Sequence, residues 1–244
     1  MPSRRPHLAT RAVRLLLLGA LVATLAGCQS IAGIQPVSQV RVIDTSSDAP
    51  PLDIHQNANA ALYNIGFGTV SSYFAVNPGL YTHAAYTAGT QQQLASVRGV
   101  LSTGNQYTVL AGNTAASLQM SLLKDQSFPA PAGQIALRFL DQTTRPGAVD
   151  IYLLPPGTAP ITVSPVVTAA TFGSNSGYLN LPAGTYSILA YPAGAIPGAT
   201  PPFYTGSQVA YPAGSAHTIL LIDEQPPTHS LQIISAEDFD PSAS

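Results

Sequence analysis

One stretch of this sequence occurs twice, about a hundred residues apart. Residues 40–44 (VRVID) reappear as residues 137–141 (LRFLD), 97 positions later, and residues 52–55 (LDIH) reappear as residues 149–152 (VDIY). Further along, the separation grows to 105, 110 and 113, and each increase falls in a Pro- or Gly-rich stretch, where surface loops accept insertions. The pattern predicts a duplicated unit, with matching pairs that include Tyr73 and Tyr178, Tyr81 and Tyr186, Tyr86 and Tyr191, and Asp125 and Asp238.

Within each unit the short-range pattern is that of strands and turns. Val40 and Val42 alternate with Arg41 and Ile43, which predicts a half-buried strand, and residues 218–222 form a continuous apolar run typical of a strand covered on both faces. The chain also has 20 Gly and 22 Pro, which disfavour long helices. Turn residues recur every 8 to 12 positions. We therefore predict an all-β fold of two tandem immunoglobulin-like β-sandwich domains.

Three Tyr residues follow a Gly turn at the start of a strand, as in the tyrosine corner of immunoglobulin-like sandwiches. They are Tyr81, Tyr186 and Tyr107. We expect each hydroxyl to bond backbone upstream. His217 stands where the second unit would have the counterpart of Tyr107, so we expect one of its ring nitrogens to bond backbone in the same way.

The first 28 residues resemble the leader of a bacterial lipoprotein. Four Arg precede an apolar run at residues 15–25, which is too short to span a bilayer as a helix. The run ends in Leu-Ala-Gly-Cys28, which resembles a lipobox and implies cleavage before Cys28, diacylglycerol on its sulfur and an acyl chain such as palmitate on its amine. The alternative is an ordinary secretory signal with a chance Cys. Gln29 favours the outer membrane, on its periplasmic face or at the cell surface.

Residues 3–5 (SRR) loosely resemble a twin-arginine export signal, but Pro6 and His7 depart from it, so general secretion is favoured.

The predicted organisation is a signal peptide at 1–27, a tether at 28–37, a first sandwich at 38–127, a Pro/Ala linker at 128–133 and a second sandwich at 134–240. Without the leader, five basic and eleven acidic residues remain, a net charge of −6. This balance argues against nucleic-acid binding, and the single Cys excludes a disulfide framework.

Residues 40–54 (VRVIDTSSDAPPLDI) resemble the opening of the bacterial and archaeal "domain of unknown function 4397" family. The resemblance covers residues 38–125 well and 134–238 more loosely. It implies exported β-sandwich domains, often in tandem, and implies no activity. Two features depart from the family: Asp44 stands where its members usually have His, and the second unit has Arg145-Pro146-Gly147 in place of Asp48-Ala49-Pro50.

Asp44, Asp48 and Asp53 are weak candidates for a metal site, because carboxylates and nearby hydroxyls are ligands that suit calcium. The competing interpretation is turn chemistry, in which Asp and Ser side chains bond nearby amides. Arg41, Asp44 and Asp53 all recur in the second unit, which favours a structural role. We predict that Asp53 and Asp150 bond backbone amides of their own turn or pair with Arg41 or Arg138 of their own domain. No metal or cofactor is expected.

Catalytic motifs are missing from the sequence. Residues 173–177 (GSNSG) have Asn where a hydrolase elbow needs Ser, and the four His after the leader lie too far apart for a local metal pair. We predict a non-catalytic, membrane-anchored envelope lipoprotein that binds a protein or polymer partner or is structural. The alternatives are a cell-surface carbohydrate-binding module and, third, a hydrolase with an unrecognised site. Surface contacts are expected from the insertion at residues 193–204 and from Tyr63, Tyr204 and Tyr211.

Overall fold

The computed structural model describes residues 37–225 and 230–241, and strands dominate both segments. The first half contains β1 (Ser38–Asp44), β2 (Leu52–Gln56), β3 (Asn59–Ile65), β4 (Phe74–Val76), β5 (Gly79–Thr87), β6 (Gln93–Leu101), β7 (Gln106–Gly112) and β8 (Gln119–Lys124). The second half contains β9 (Gln134–Asp141), β10 (Val149–Leu154), β11 (Val167–Ala170), β12 (Asn175–Pro182), β13 (Gly184–Pro192), β14 (Tyr204–Thr205), β15 (Val209–Tyr211), β16 (Ala216–Asp223) and β17 (Leu231–Phe239).

Two short 3-10 helices, Ala115–Ser117 and Pro160–Thr162, complete the regular structure. In the two described segments, no helix has the length and apolar character needed to cross a membrane. The predicted lipidation residue Cys28, with the leader and most of the tether, lies outside the described residues.

Each half of the chain forms two sheets. Inner sheet 1 has the order β4-β1-β7-β8 and outer sheet 1 the order β3-β2-β5-β6. Inner sheet 2 has the order β12-β9-β16-β17, and outer sheet 2 the order β11-β10-β13-β14, with β15 also paired to β13. The predicted all-β fold of immunoglobulin-like sandwiches is therefore confirmed. The first sandwich consists of inner and outer sheet 1, and the second of inner and outer sheet 2.

The two sandwiches share their pairing directions and registers. β1 runs parallel to β7 with Arg41 opposite Thr108, and β9 runs parallel to β16 with Arg138 opposite Thr218. The remaining neighbours in the inner sheets are antiparallel. A single parallel pair in the middle of an otherwise antiparallel sheet is thus a feature of both inner sheets.

The sheets stack in four layers, because the two inner sheets also pack on each other. Val40 and Val42 of β1 lie in the core of the first sandwich, while Ile43 lies in a separate interface core between the inner sheets. The interface core consists of Ile43, Leu110, Leu140, Leu220, Ile222 and Ala236, with Phe67, Val70, Leu123 and Ile234 half-buried around it.

This stacking corrects the expectation of a half-buried β1. Arg41 is only 2% exposed, although the alternation of residues 40–43 suggested a solvent-facing side chain. In contrast, β16 is covered on both faces as predicted: Ile219 and Leu221 lie in the second sandwich's core and Leu220 in the interface core. The described residues from 37 onwards accordingly form one compact unit.

Candidate functional site

Arg41 of β1 sits at the centre of a buried polar network between the inner sheets. Its Nε donates to Thr108 Oγ1 at 2.8 Å, within the first sandwich. Its two terminal nitrogens cross to the second sandwich, where they donate to the Glu237 carbonyl at 2.8 Å and to Asp238 Oδ1. The guanidinium carbon lies 4.8 Å from the ring centroid of Tyr73, a cation–π distance.

Arg138 of β9 makes the reciprocal set of contacts. Its Nε donates to Thr218 Oγ1 at 3.0 Å within the second sandwich. Its terminal nitrogens cross to the first sandwich, where they donate to the Lys124 carbonyl at 3.0 Å and to Asp125 Oδ1 at 2.6 Å. The guanidinium carbon is again 4.8 Å from a ring centroid, that of Tyr178.

Tyrosine and threonine hydroxyls satisfy the second oxygen of each carboxylate. Tyr73 donates to Asp125 Oδ2 at 2.8 Å and Tyr178 donates to Asp238 Oδ2 at 2.9 Å. The same oxygens accept from the hydroxyls of Thr108 and Thr218, at 2.6 and 2.7 Å. Burial raises the pKa of both Tyr hydroxyls, and the charge of the neighbouring Asp raises it further. Both hydroxyls therefore remain proton donors.

The network is built to hold two sheets together. Its charged side chains are almost fully buried and each carboxylate oxygen has a partner, which is the condition for a stable buried ion pair. Burial raises the pKa of Asp238, against the lowering effect of Arg41. These charges face each other rather than an open cleft, so they contribute to association of the sandwiches.

The expected partners of the two Arg residues were wrong. Neither pairs with Asp53 or Asp150 of its own domain: Arg41 binds Asp238 and Arg138 binds Asp125, each in the other sandwich. The cause is the packing of the inner sheets, which places the end of each last strand beside the first strand of the other sandwich. A signal was present, since Asp125 and Asp238 are a matching pair in the duplicated pattern.

Asp53 and Asp150 bond backbone amides, as one of the two alternatives predicted, but not the amides of their own turn. Asp53 accepts from the amides of Asn64 and Gly89, both at 2.8 Å. Those two bonds lower the pKa of Asp53, and the bond from the Gly89 amide has the larger effect. Asp150 accepts from the amides of Ala169 and Gly194 at 2.7 and 2.8 Å. The amides belong to neighbouring loops rather than to the turn before each Asp.

The left-handed conformation of two of these amide donors is itself repeated. Asn64 has φ of 54° and Ala169 has φ of 49°, a region that non-glycine residues rarely occupy. Each carboxylate therefore holds a bend in an edge strand, β3 or β11. This is a structural use of the repeated Asp.

Asp44 and Asp141 are buried with one oxygen bonded and one without a partner. Asp44 Oδ1 accepts from the Ser46 amide at 2.9 Å, and Asp141 Oδ1 accepts from the Thr143 amide and hydroxyl at 2.8 and 2.7 Å. Oδ2 of each has no hydrogen-bond partner. Burial raises the pKa of Asp44 to about 7 and also raises the pKa of Asp141, so the ionised form of each is disfavoured.

The three calcium candidates do not converge. Asp44 is buried, Asp48 is exposed and accepts from the Ala115 amide at 2.8 Å, and both oxygens of Asp53 are taken by amides. Within residues 37–225 and 230–241, no three His, Cys, Asp or Glu side chains group as metal ligands do. The bond of Asp44 to the Ser46 amide is that of the turn interpretation, whereas Asp48 bonds an amide 67 residues away in the chain.

The tyrosine corners form as expected. Tyr81 donates to the Asn77 carbonyl and Tyr186 to the Pro182 carbonyl, both at 2.9 Å. Tyr107 instead accepts from the Ser102 amide at 3.0 Å, again just upstream.

Burial disfavours the charged form of two His residues, half-buried His217 and buried His83. Nε2 of His217 has no hydrogen-bond partner, and its ring packs edge-on against Tyr211 with centroids 5.3 Å apart, so it does not reproduce the bond of Tyr107. Burial lowers its pKa. Nε2 of His83 is also unpartnered, and burial lowers the pKa of His83 to about 4.

The expected surface contacts are correct only in part. Tyr63 is 70% exposed, but Tyr211 is 3% exposed in the second core and Tyr204 packs against that core. The insertion at 193–204 places Ala195 against a buried outer-face cluster of outer sheet 2, formed by Tyr152, Leu154, Leu189 and Tyr191. The insertion therefore covers part of its own sheet, while Ile196 remains 62% exposed.

Comparison with known families gives one match. The model of the family described as "Domain of unknown function (DUF4397)" matches residues 38–152, from the start of β1 into β10. This confirms the resemblance of the first half. The match ends early in the second sandwich, so the assignment of that sandwich to the same family stays a prediction. No curated protein matches the chain.

Two solved structures show a distant likeness. One is CBMbc, a family CBM26 module of Eubacterium rectale Amy13K, solved in complex with maltoheptaose. It is 11% identical to this chain, the match covers 84% of this chain and 99% of that chain, and the TM-score is 0.26. The other concerns alpha-glucan binding by a streptococcal virulence factor, with 10% identity, 80% and 95% coverage, and a TM-score of 0.26. Neither likeness is close enough to bear on the function of this chain.

Proposed function

We propose that this chain is a non-catalytic lipoprotein of the bacterial cell envelope, whose two sandwiches form one rigid unit that binds a protein or polymer partner or serves a structural role. The observation that carries the proposal is the reciprocal exchange of Arg41 and Arg138 between the sandwiches. A rigid pair of domains on a lipid anchor suits presentation or spacing at a membrane. It does not require an active site.

The use of the ionisable groups supports a non-catalytic role. A general acid or base has to reach its substrate within hydrogen-bond distance. Among the described carboxyl and imidazole side chains, burial shifts the pKa values of Asp44, Asp141, Asp238, His83 and His217, and these groups are buried or half-buried. Shifted pKa values at such positions fit structure better than catalysis.

The proposal includes a tandem duplication. Beyond the shared strand order, single backbone pairings repeat at matching positions. Ile43 is the antiparallel β-partner of Val70 in the first sandwich, and the matching residues Leu140 and Asn175 are β-partners in the second. Amide bonds repeat as well, since Gly68 donates to the Asp44 carbonyl at 2.9 Å and Gly173 to the Asp141 carbonyl at 2.8 Å. Such agreement supports two copies of one unit, with the linker at 128–133 between them.

Anchoring rests on the sequence around Cys28. Acyl chains contribute about 0.8 kcal/mol of membrane affinity for each buried CH₂, so two or three chains on one residue hold a protein firmly. Gln29 supports a location in the outer membrane. The sandwiches would then be tethered to that membrane through residues 28–37.

Cys28→Ala in the full chain tests the anchor, with Ser30→Ala as the matched control. Membrane and soluble fractions of cells expressing each form are compared, together with the mass of the protein. The wild type and the control are expected in the membrane at the lipidated mass, and Cys28→Ala in the soluble fraction or unprocessed. A processed Cys28→Ala protein that stays in the membrane would refute lipid anchoring. Crosslinked pull-down with the wild-type protein then identifies the partner.

A carbohydrate-binding module is the second candidate, supported by one groove. At the end of the first sandwich a cavity of about 380 Å³ is lined by Gln56, Asn57, Asn59, Asn77 and Tyr81. Side-chain amides both donate and accept hydrogen bonds, as sugar hydroxyls require. Nε2 of Gln56 is also without a partner.

Binding to a panel of cell-envelope polysaccharides tests this second candidate. Retention of the wild type by one polymer, and loss of retention in Asn59→Ala but not in the exposed control Asn180→Ala, would favour it. Equal retention, or no retention, of all three proteins would count against the carbohydrate-binding candidate and in favour of the first proposal.

A further inference from the structure

The interface core has two sides built from matching residues. On one side Ile43 of β1 pairs with Val70, and Ile234 of β17 lies opposite Leu220. On the other side the matching pairs are Leu140 with Asn175, and Leu110 with Ser121. The two sides therefore share a backbone arrangement, and at two of these positions a polar side chain replaces an apolar one.

The first side is closed. Val70, Ile234 and Phe67 all pack against the interface core. The Ile234 side chain reaches the turn at Gly68, where its Cδ1 lies 3.8 Å from the position that a Cβ would occupy.

The second side is open. Ser121 replaces Ile234 and Asn175 replaces Val70, so two branched apolar side chains are missing from the places they fill on the closed side. A Cβ placed on Gly173, the match of Gly68, would have no atom within 4 Å. A cavity of about 210 Å³ remains at this point, with Phe172, the match of Phe67, in its wall.

The residues that line the cavity indicate the kind of ligand that it would bind. Leu110, Leu123, Leu140 and Phe172 supply apolar walls, and the amides of the rim include that of Gln142. None of the described residues that line it is charged. This cavity is partly open to solvent and lined by polar as well as apolar groups. A cavity of about 150 Å³ is large enough for benzene, so there is room for a group of that size with a small polar head.

We propose that this cavity between the sandwiches binds a small uncharged molecule, with an apolar part about the size of a benzene ring and one hydrogen-bonding head at the amide rim. The apolar part lies against Leu140 and Phe172, and the head bonds the amides and the hydroxyl of Ser121. This site goes beyond the proposed function, because it depends on neither the lipid anchor nor a polymer partner.

Benzamide and benzoate test the proposal, since they share a shape and differ in charge. A ligand that binds only the folded state raises the melting temperature, by about 3–6 °C at ten times its dissociation constant for a protein of this size. Benzamide is expected to give this rise and benzoate to give none. In two-dimensional NMR spectra, benzamide is expected to shift the amide signals of Ser121, Phe172 and Gly173, and to leave those of Phe67 and Gly68 unchanged.

The variant Ser121→Ile with Asn175→Val fills the cavity with the residues of the closed side. It is expected to melt at or above the wild-type temperature and to show no response to benzamide, while the exposed control Tyr63→Ala responds as the wild type does. An unchanged response in the filled variant would overturn the proposal, as would the absence of NMR shifts at Ser121 and Phe172 in the wild type. If the filled variant does not fold, the wild-type NMR result alone decides.

Discussion

Arg41, on the first described strand, donates to the carboxylate of Asp238, on the last one. The pair joins positions 197 residues apart, and its counterpart Arg138–Asp125 joins the same sandwiches in the opposite sense. Each sandwich thus supplies one cation to the other and accepts one in return. Neither sandwich can leave the other without exposing a charge that is now paired and buried.

Removing one carboxylate of this exchange should be severely destabilising. Asp238→Ala leaves Arg41 buried without its partner, and breaking a buried pair in this way typically costs about 3–5 kcal/mol. Asp125→Ala should cost a similar amount, because it leaves Arg138 buried without its carboxylate partner in the same way. Urea unfolding measures the loss. Asp48→Ala, at an exposed Asp that bonds one amide, is the control and should cost less than about 1 kcal/mol; a loss at Asp238 no larger than this would contradict the assignment.

The two network tyrosines should differ in importance. Tyr178 donates to Asp238 and also accepts from the Gln126 amide at 3.0 Å, whereas the hydroxyl of Tyr73 bonds Asp125. Tyr73→Phe removes one hydrogen bond to a charged group, worth about 1.5–3 kcal/mol. Tyr178→Phe should cost more in the same unfolding assay, because an amide also loses its acceptor. Equal losses would show that the Gln126 bond contributes nothing.

The repeated amide-binding carboxylates should each stabilise one bend. Asp53→Ala frees the amides of Asn64 and Gly89, and Asp150→Ala frees those of Ala169 and Gly194, at a cost of about 1.5–3 kcal/mol each. Hydrogen exchange should accelerate at β3 in the first variant and at β11 in the second. Should both variants keep wild-type stability but lose a common binding activity, these carboxylates would be functional rather than structural.

Much of this architecture follows from local sequence patterns. Alternation at residues 40–43 predicts β1, and the apolar run at 218–222 predicts a strand with both faces covered. Alternation cannot distinguish a strand face covered by water from one covered by a second sheet, however, so the side chain of Arg41 was expected to face solvent. The partners of Arg41 lie far away in the chain, and only the fold of both sandwiches brings Asp238 to it.

The contribution of Asp44 to the stability of the protein should fall as pH rises between its ordinary pKa and its folded pKa. Its folded pKa of about 7 exceeds the ordinary value of 3.8, so the folded state holds a proton that the unfolded state has lost between these values. The stability that Asp44 contributes therefore declines as pH rises from about 4 to about 7, by roughly 1.4 kcal/mol for each unit of pKa difference. His83 acts in the opposite direction, because its folded pKa of about 4 makes stability fall as pH drops below 6.5.

Asp44→Asn isolates the first of these effects. The variant keeps an acceptor for the Ser46 amide but no longer titrates, so its stability should climb more steeply with pH between 4 and 6.5 than that of the wild type. Urea unfolding at several pH values measures the slope, which is the readout because a buried amide also changes the absolute stability. Parallel profiles for the two proteins would show that Asp44 does not titrate with a raised pKa.

A double-mutant cycle between Arg41 and Asp238 tests most directly whether the network joins the sandwiches. The free energy of unfolding is measured for Arg41→Met, Asp238→Leu and the double variant, with Arg41→Met and Asp53→Ala as a control cycle between residues that do not contact each other. We predict that the first double variant loses about 2 kcal/mol less than the sum of its single losses, and that the control cycle is additive within about 0.5 kcal/mol. Additive losses at Arg41 and Asp238 would contradict the account, because the pair would then contribute nothing to holding the two sandwiches together.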